Sequence, residues 1–207
     1  NSDAKSTMTD LRKANGRSEP WRVKFWGVGN ESWGCGGDMT VDFYADLYKR
    51  YAVYCRNYPQ APLLKIASGA NSGDYNWTET LMKNIGTNRM WGVTLHYYTI
   101  PTGSWGKKGS ATAFDEKEYF NTMNNCLKME ELVTRHSTIM DKYDPAKKTA
   151  LVVDEWGIWT DVEPGTNPGF LYQQNSLRDA LVAGTTPNIF NNHSDRVRMA
   201  NLAQTIN

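Results

Sequence analysis

Apolar and polar residues follow two different rhythms along the chain. Short, nearly continuous apolar runs at "RVKFWGVGN" (22–30), "PLLKIASGA" (62–70), "RMWGVTLHYYT" (89–99) and "TALVVDEWGIW" (149–159) predict buried strands. Helical spacing fills the intervals. Phe43, Leu47, Tyr51, Tyr54 and Tyr58 predict a helix that stops before Pro59, and "WTETLMKNI" (77–85) predicts another. Asp115 with Glu118 gives a capping-box signature for a long helix running to about Tyr143, with Pro145 just beyond. From Phe170 a helical pattern continues through "LYQQNSLRDALVAG", where Pro187 limits or kinks it. Residues 1–20, with Asn15-Gly16 and Pro20, read as a helix and a turn. The closing "DRVRMANLAQTIN" fits a strand or a helix equally well by period.

Alternating strands and helices, with strands apolar throughout, predict parallel β-structure in an α/β fold. An open doubly wound sheet and a (β/α)8 barrel both fit, and in both the functional groups gather at the C-terminal ends of the strands. No G-x-G-x-x-G opens a helix and no G-x-x-x-x-G-K-[ST] occurs, so nucleotide-binding sheets lose ground.

Composition narrows the field further. Lys and Arg number 23 against 22 Asp and Glu, so no net field favours nucleic acid or an anionic membrane, and neither partner is expected. No apolar run approaches the roughly 20 residues needed to span a bilayer, and residues 1–20 lack the apolar core of a signal peptide. Cys35, Cys55 and Cys126 are an odd set without metal-ligand spacing; they read as free thiols, which favours a reducing compartment such as the cytoplasm. The three His residues are scattered and no H-E-x-x-H occurs, so neither a metal nor a cofactor is expected. Sequons at Asn30, Asn76 and Asn192 carry no weight, the first lying inside the motif described next. Aromatic residues are in excess, with 8 Trp and 11 Tyr, several in Gly-rich loops where rings have little core to fill and can stack on sugars.

Two acids stand in equivalent places. Glu31 ends the first strand, within "WGVGNESWGCGG", and Glu155 ends the fourth, within "VVDEWGIW"; each is followed by a Trp/Gly loop. A carboxylate beside apolar neighbours is costly unless it is paired or has chemistry to perform. Two such groups at C-terminal strand ends project into one mouth, the arrangement glycoside hydrolysis needs: one acid to protonate the leaving oxygen and one carboxylate to attack or to activate water. Asp154 is set aside, since neighbouring side chains on a strand face opposite ways.

With these motifs, and with "IASGANSGDYNWTE", "LHYYT", "LVVDEWGIWTDVEPGTNPGFLYQQNSLRDALVAG" and "DRVRMANLAQTIN", the sequence resembles the α-L-arabinofuranosidases of glycoside hydrolase family 51 over essentially its whole length. The resemblance implies a retaining (β/α)8 barrel, with residues 1–207 as a partial catalytic barrel carrying strands four to eight. It implies Glu31 as acid/base and Glu155 as nucleophile. Asn30 would contact the sugar 2-hydroxyl, and Tyr98 of the His96-x-Tyr98 pair would orient the nucleophile. Apart from the resemblance, His96 reads as a core histidine. Gln204 would contact the arabinose, which also makes the last segment a strand. Trp33, Trp156 and Trp159 are expected as walls of the sugar site, and the loop of Trp105 as reaching the leaving-group side.

The implied activity is release of terminal α-L-arabinofuranosyl units from arabinoxylan, arabinan or their oligosaccharides by double displacement, without a cofactor. The two carboxyl groups are then expected about 5–5.5 Å apart. Three early strands, the last helix and the family's β-sandwich have no counterpart in the sequence. Five strands alone would expose two parallel edges, so a longer polypeptide or another chain, as in a homo-oligomer, is expected to complete the barrel. A β-xylosidase or endo-β-1,4-glucanase of the same clan remains open, because these motifs encode mechanism and not ring shape. An inactive carbohydrate-binding barrel is the alternative of another class.

Overall fold

The computed structural model describes residues 2–203. After α1 (Thr7–Ala14), the chain runs β1 (Phe25–Val28), α2 (Val41–Ala52), β2 (Leu64–Asn71), α3 (Tyr75–Asn84), β3 (Gly92–Thr99), α4 (Glu116–Tyr143), β4 (Ala150–Ile158), α5 (Leu177–Asn192) and β5 (Val197–Leu202). All four strand pairings are parallel and the sheet order is β1-β2-β3-β4-β5. A doubly wound sheet reverses its strand order at a switch point. Here the order never reverses, so right-handed crossovers put α2 to α5 on one face and the sheet curls into part of a (β/α)8 barrel.

Local chemistry sets the helix ends. Asp74 caps α3 by accepting from the Trp77 amide at 3.1 Å, and Asp115 caps α4 by accepting from the Glu118 amide at 2.8 Å. The core between helices and sheet is built from Leu95, Leu132, Val133, Leu151 and Val153, all fully buried. Truncating one of these leucines to Ala would cost about 2–5 kcal/mol.

Two helices depart from the sequence pattern. On α2 the expected stripe is out of phase: Phe43, Tyr51 and Tyr54 are exposed, while Val41, Tyr44, Ala45, Tyr48 and Ala52 face the sheet. The small alanines let the helix approach closely. Both buried phenols have partners, Tyr44 donating to the Val28 carbonyl at 2.5 Å and Tyr48 to the Arg89 carbonyl at 2.9 Å. The helix ends at Ala52, short of Tyr58. Helix α5 begins at Leu177 and not at Phe170, because Pro168–Phe170 form a single 3-10 turn and Leu171, at φ +54°, cannot continue a right-handed helix. Pro187 lies inside α5 without ending it, since Ile189 and Phe190 beyond it are anchored in the core.

The strand pairings slip in register at matching heights. Between Ala67 and Ala70 on β2, and between Val152 and Glu155 on β4, one extra residue faces two-residue steps on β3. On the other side of β4, three steps from Val153 to Trp156 face two on β5, and lower down one step from Leu151 to Val152 faces two, from Val197 to Met199. The β2 bulge requires glycine: a Cβ at Gly69 would sit 1.7 Å from the Thr94 carbonyl oxygen. This line of bulges lies just below the C-terminal rim of the sheet.

Candidate active site

The turn after β1 places the first acid. Gly29 and Glu31 have φ of +105° and +43°, and the Gly34 and Gly36 amides both donate to the Glu31 carbonyl, at 2.8 and 3.0 Å. A non-glycine residue in this region stores about 1–3 kcal/mol of strain, which the turn overcomes with its own hydrogen bonds. A Cβ on Gly36 would meet the Asn30 carbonyl oxygen at 1.6 Å, so only glycine allows so tight a curl. The Ser32 amide ties the turn to the Ser68 hydroxyl on β2 at 3.3 Å.

Glu155 arrives from β4, paired in register with His96 of β3. His96 is buried, and its Nδ1 lies 3.1 Å from Glu31 Oε1 and 3.6 Å from Glu155 Oε2. One oxygen of each glutamate and a ring nitrogen of His96 all fall within 4.8 Å of one another. Tyr98, two residues along β3, donates its hydroxyl to Glu155 Oε2 at 2.8 Å. Burial, then its bond to Glu155, pushes the Tyr98 pKa up, so the phenol stays protonated and remains a donor.

Asp154 corrects the sequence reading. The β4 bulge breaks the alternation of the pleat, and Asp154 Oδ1 comes to 3.0 Å from His96 Nε2, off the ideal line of the N–H, while Glu155 faces Nδ1. Burial of His96 opposes its charge, but Asp154, Glu31 and Glu155 outweigh it and raise its pKa above the ordinary value. Two glutamates and an imidazole have the spacing of a cation site. Carboxylates on either side of one imidazole also suit proton handling.

Glu31, His96 and Tyr98 line a cleft of about 670 Å³ together with Trp33, Cys35, Asn71, Ser72, Tyr97, Ile100, Trp105 and Trp159. Aromatic rings form one wall: Tyr98 meets Trp159 edge-on at 4.7 Å, and Trp159 meets Trp105 at 5.0 Å. Trp105 is held there although 60% exposed. The Asp161 carboxylate accepts from the Lys108 and Gly109 amides, both at 3.0 Å, and the Lys108 ammonium sits 4.6 Å from the Trp105 ring centroid. Trp33 approaches His96 edge-on at 6.5 Å.

The structure thus brings together Glu31, Glu155, His96, Tyr98 and Trp33. Asn30 lies exposed beside Glu31. Trp156 is not a wall of the site: with Glu155 turned toward Tyr98 and His96, the next side chain points the other way, is 5% exposed and packs edge-on against Phe190 at 5.3 Å in the core. Gln204 lies outside the described residues. Sequence reasoning missed Cys35, whose Sγ is 2.9 Å from Glu31 Oε2; a spacing of four residues within a helically wound turn was the available signal. It also missed Asn71 and Ser72, brought in by the rim of β2. Among the described residues, no helix is long and apolar enough to cross a membrane.

Residues 1–118 match the family model of the α-L-arabinofuranosidase 1 domain, and residues 154–207 that of the α-L-arabinofuranosidase C-terminal domain. An intracellular exo-α-L-arabinofuranosidase of Bacteroides ovatus is 56% identical over 206 residues, covering 100% of this chain and 40% of its own length. The crystal structure of a family 51 arabinofuranosidase from Xanthomonas axonopodis pv. citri superposes with a TM-score of 0.94 at 53% identity, covering 99% of this chain and 41% of that one. A family 51 α-L-arabinofuranosidase from Bifidobacterium longum superposes with a TM-score of 0.77 at 25% identity, covering 98% and 42%. The chain therefore spans about 40% of the length of the curated relatives it matches.

Proposed function

Because this chain belongs to the family 51 α-L-arabinofuranosidases, we propose that it carries the catalytic carboxylates of a retaining exo-glycosidase acting on arabinose-containing oligo- or polysaccharides. The observation that supports this best is the approach of one Glu31 oxygen and one Glu155 oxygen to within 4.8 Å. Retention requires carboxyl groups about 5–5.5 Å apart, whereas inversion needs about 6.5–9.5 Å to admit a water.

Glu155 is the nucleophile. Its carboxylate attacks the anomeric carbon while Glu31 passes its proton to the departing glycosidic oxygen, giving an arabinosyl ester on Glu155. Glu31, now ionised, takes a proton from water as that water attacks the same carbon, and Glu155 leaves as a carboxylate. Tyr98 supports the charged form of Glu155 by donating to Oε2. His96 Nδ1 lies between the two acids, and in the protonated ring it carries a proton toward them. When esterification removes the Glu155 charge, Glu31 receives that proton undivided and is stabilised as the base. Asn30 and Gln204 contact the arabinose, and Trp33, Trp105 and Trp159 flank the cleft that receives it.

The test uses the full polypeptide. Glu155→Ala should abolish turnover, and azide should restore part of it with an inverted glycosyl azide as product. A rescued product of retained configuration would move the nucleophile elsewhere. Faster hydrolysis of an aryl xylopyranoside than of an aryl arabinofuranoside would replace the substrate with a xyloside.

A further inference from the structure

Glu31 has two carboxyl oxygens, and the reaction needs only one of them at the glycosidic bond. His96 faces Oε1, while Oε2 meets the thiol of Cys35 at 2.9 Å. We infer that Cys35 is a positioning residue for the acid/base: its thiol fixes the rotation of the Glu31 carboxyl so that the catalytic proton points at the leaving oxygen. This inference rests on Glu31 being the proton donor.

The geometry is built and not incidental. Cys35 lines the cleft and is carried by the turn that accepts the Gly34 and Gly36 amides on the Glu31 carbonyl. That turn has no freedom at Gly36, and its far end is tied by the Met39 amide to the Ser32 carbonyl at 2.8 Å. Sγ is therefore presented to Oε2 by backbone, not by the chance rotamer of a long side chain.

The thiol is also in the right state. The hydrogen bond to Glu31, then the Glu31 charge, raises the Cys35 pKa above its ordinary value, so the group is S–H and can donate. A thiol is a weak donor and a weak acceptor. It donates to Oε2 whether the carboxyl is ionised or carries its proton on the other oxygen, so the proton to be transferred is left free for the leaving group. A hydroxyl in the same place would bind the ionised form more strongly.

The experiment separates acid assistance from everything else in the site, using the full polypeptide with two arabinofuranosides. One has an alkyl leaving group, which must be protonated to depart. The other has a 2,4-dinitrophenyl group, which departs without help. For Cys35→Ala, kcat/KM should fall about tenfold on the alkyl glycoside and less than twofold on the dinitrophenyl glycoside, and Cys35→Ser should recover most of the loss. An equal effect of Cys35→Ala on both substrates, or no effect on either, overturns the inference. Glu31→Ala measured alongside keeps the two readings apart. If Glu31→Ala slows the two substrates equally, Glu31 is not the proton donor and both readings fall. If it is selective and Cys35→Ala is not, only the role of Cys35 falls.

Discussion

Replacing Tyr98 by Phe removes one oxygen and keeps the ring that meets Trp159 at 4.7 Å. The lost contact is a 2.8 Å donation to Glu155 Oε2. A hydrogen bond to a charged acceptor contributes about 1.5–3 kcal/mol. That stabilisation belongs to the carboxylate, so it is full in the free enzyme, weakest in the arabinosyl ester, and returns as the ester breaks. With roughly half of the charge restored at the second transition state, about 0.75–1.5 kcal/mol is missing there, a slowing of deglycosylation of about 4- to 12-fold. On a dinitrophenyl arabinofuranoside, whose first step needs no acid help, the ester should accumulate. Stopped-flow absorbance should show a burst of about one equivalent of dinitrophenol, followed by a steady rate lowered by that factor and a KM lowered still further, since the free enzyme loses more of the bond than the transition state does. A correctly folded Tyr98→Phe enzyme with unchanged kcat and no burst would refute the reasoning. So would a loss in kcat/KM at constant kcat, which would mean that the phenol acts on binding and not on the charge of Glu155.

Gly36→Ala forces a Cβ to within 1.6 Å of the Asn30 carbonyl oxygen unless the turn rearranges. Because that turn carries Glu31, kcat/KM should fall about 100-fold, the order expected for a displacement near 1 Å, with a near-native melting temperature from calorimetry. His136 predicts a pH dependence of stability. It is buried between the Thr78 hydroxyl and the Ser72 carbonyl, each at 2.8 Å, and burial lowers its pKa despite the Ser72 bond. The folded protein then favours the neutral ring. Its contribution is complete above the unfolded value of about 6.5 and is lost as pH falls from there through the folded pKa. Urea unfolding midpoints from pH 7.5 to 5 should fall more steeply for the native protein than for His136→Asn; parallel curves would exclude the assignment.

Much of this architecture is legible in the chain, since the apolar runs that lead to Glu31 and Glu155 mark two parallel strands of one sheet, although β4 continues past Glu155 to Ile158 and β1 stops at Val28. What the sequence hides follows from where the regular pleat breaks. The alternation rule that set Asp154 aside assumes an unbroken strand, and the β4 bulge violates it. The same rule, applied one residue further, holds and sends Trp156 away from Glu155 into the core. On α2, size misled: the large rings of Phe43, Tyr51 and Tyr54 outweigh Ala45 and Ala52 in a hydrophobic count, yet small residues are what a close helix–sheet approach requires. Cys35 reads only as a free thiol, because its spacing of four from Glu31 falls in a glycine-rich turn where no helix is predicted.

The slipped pairings that cross β2, β3, β4 and β5 at one height act as a seam dividing the half-barrel into two storeys. Beneath it, residues such as Val93 and Leu151 interlock with the helices. Above it, His96, Tyr98 and Glu155 answer to a different phase of the same strands. Side chains in the upper storey can therefore be exchanged without reshuffling those below. Substitutions beneath the seam should register in the melting temperature and those above it in turnover.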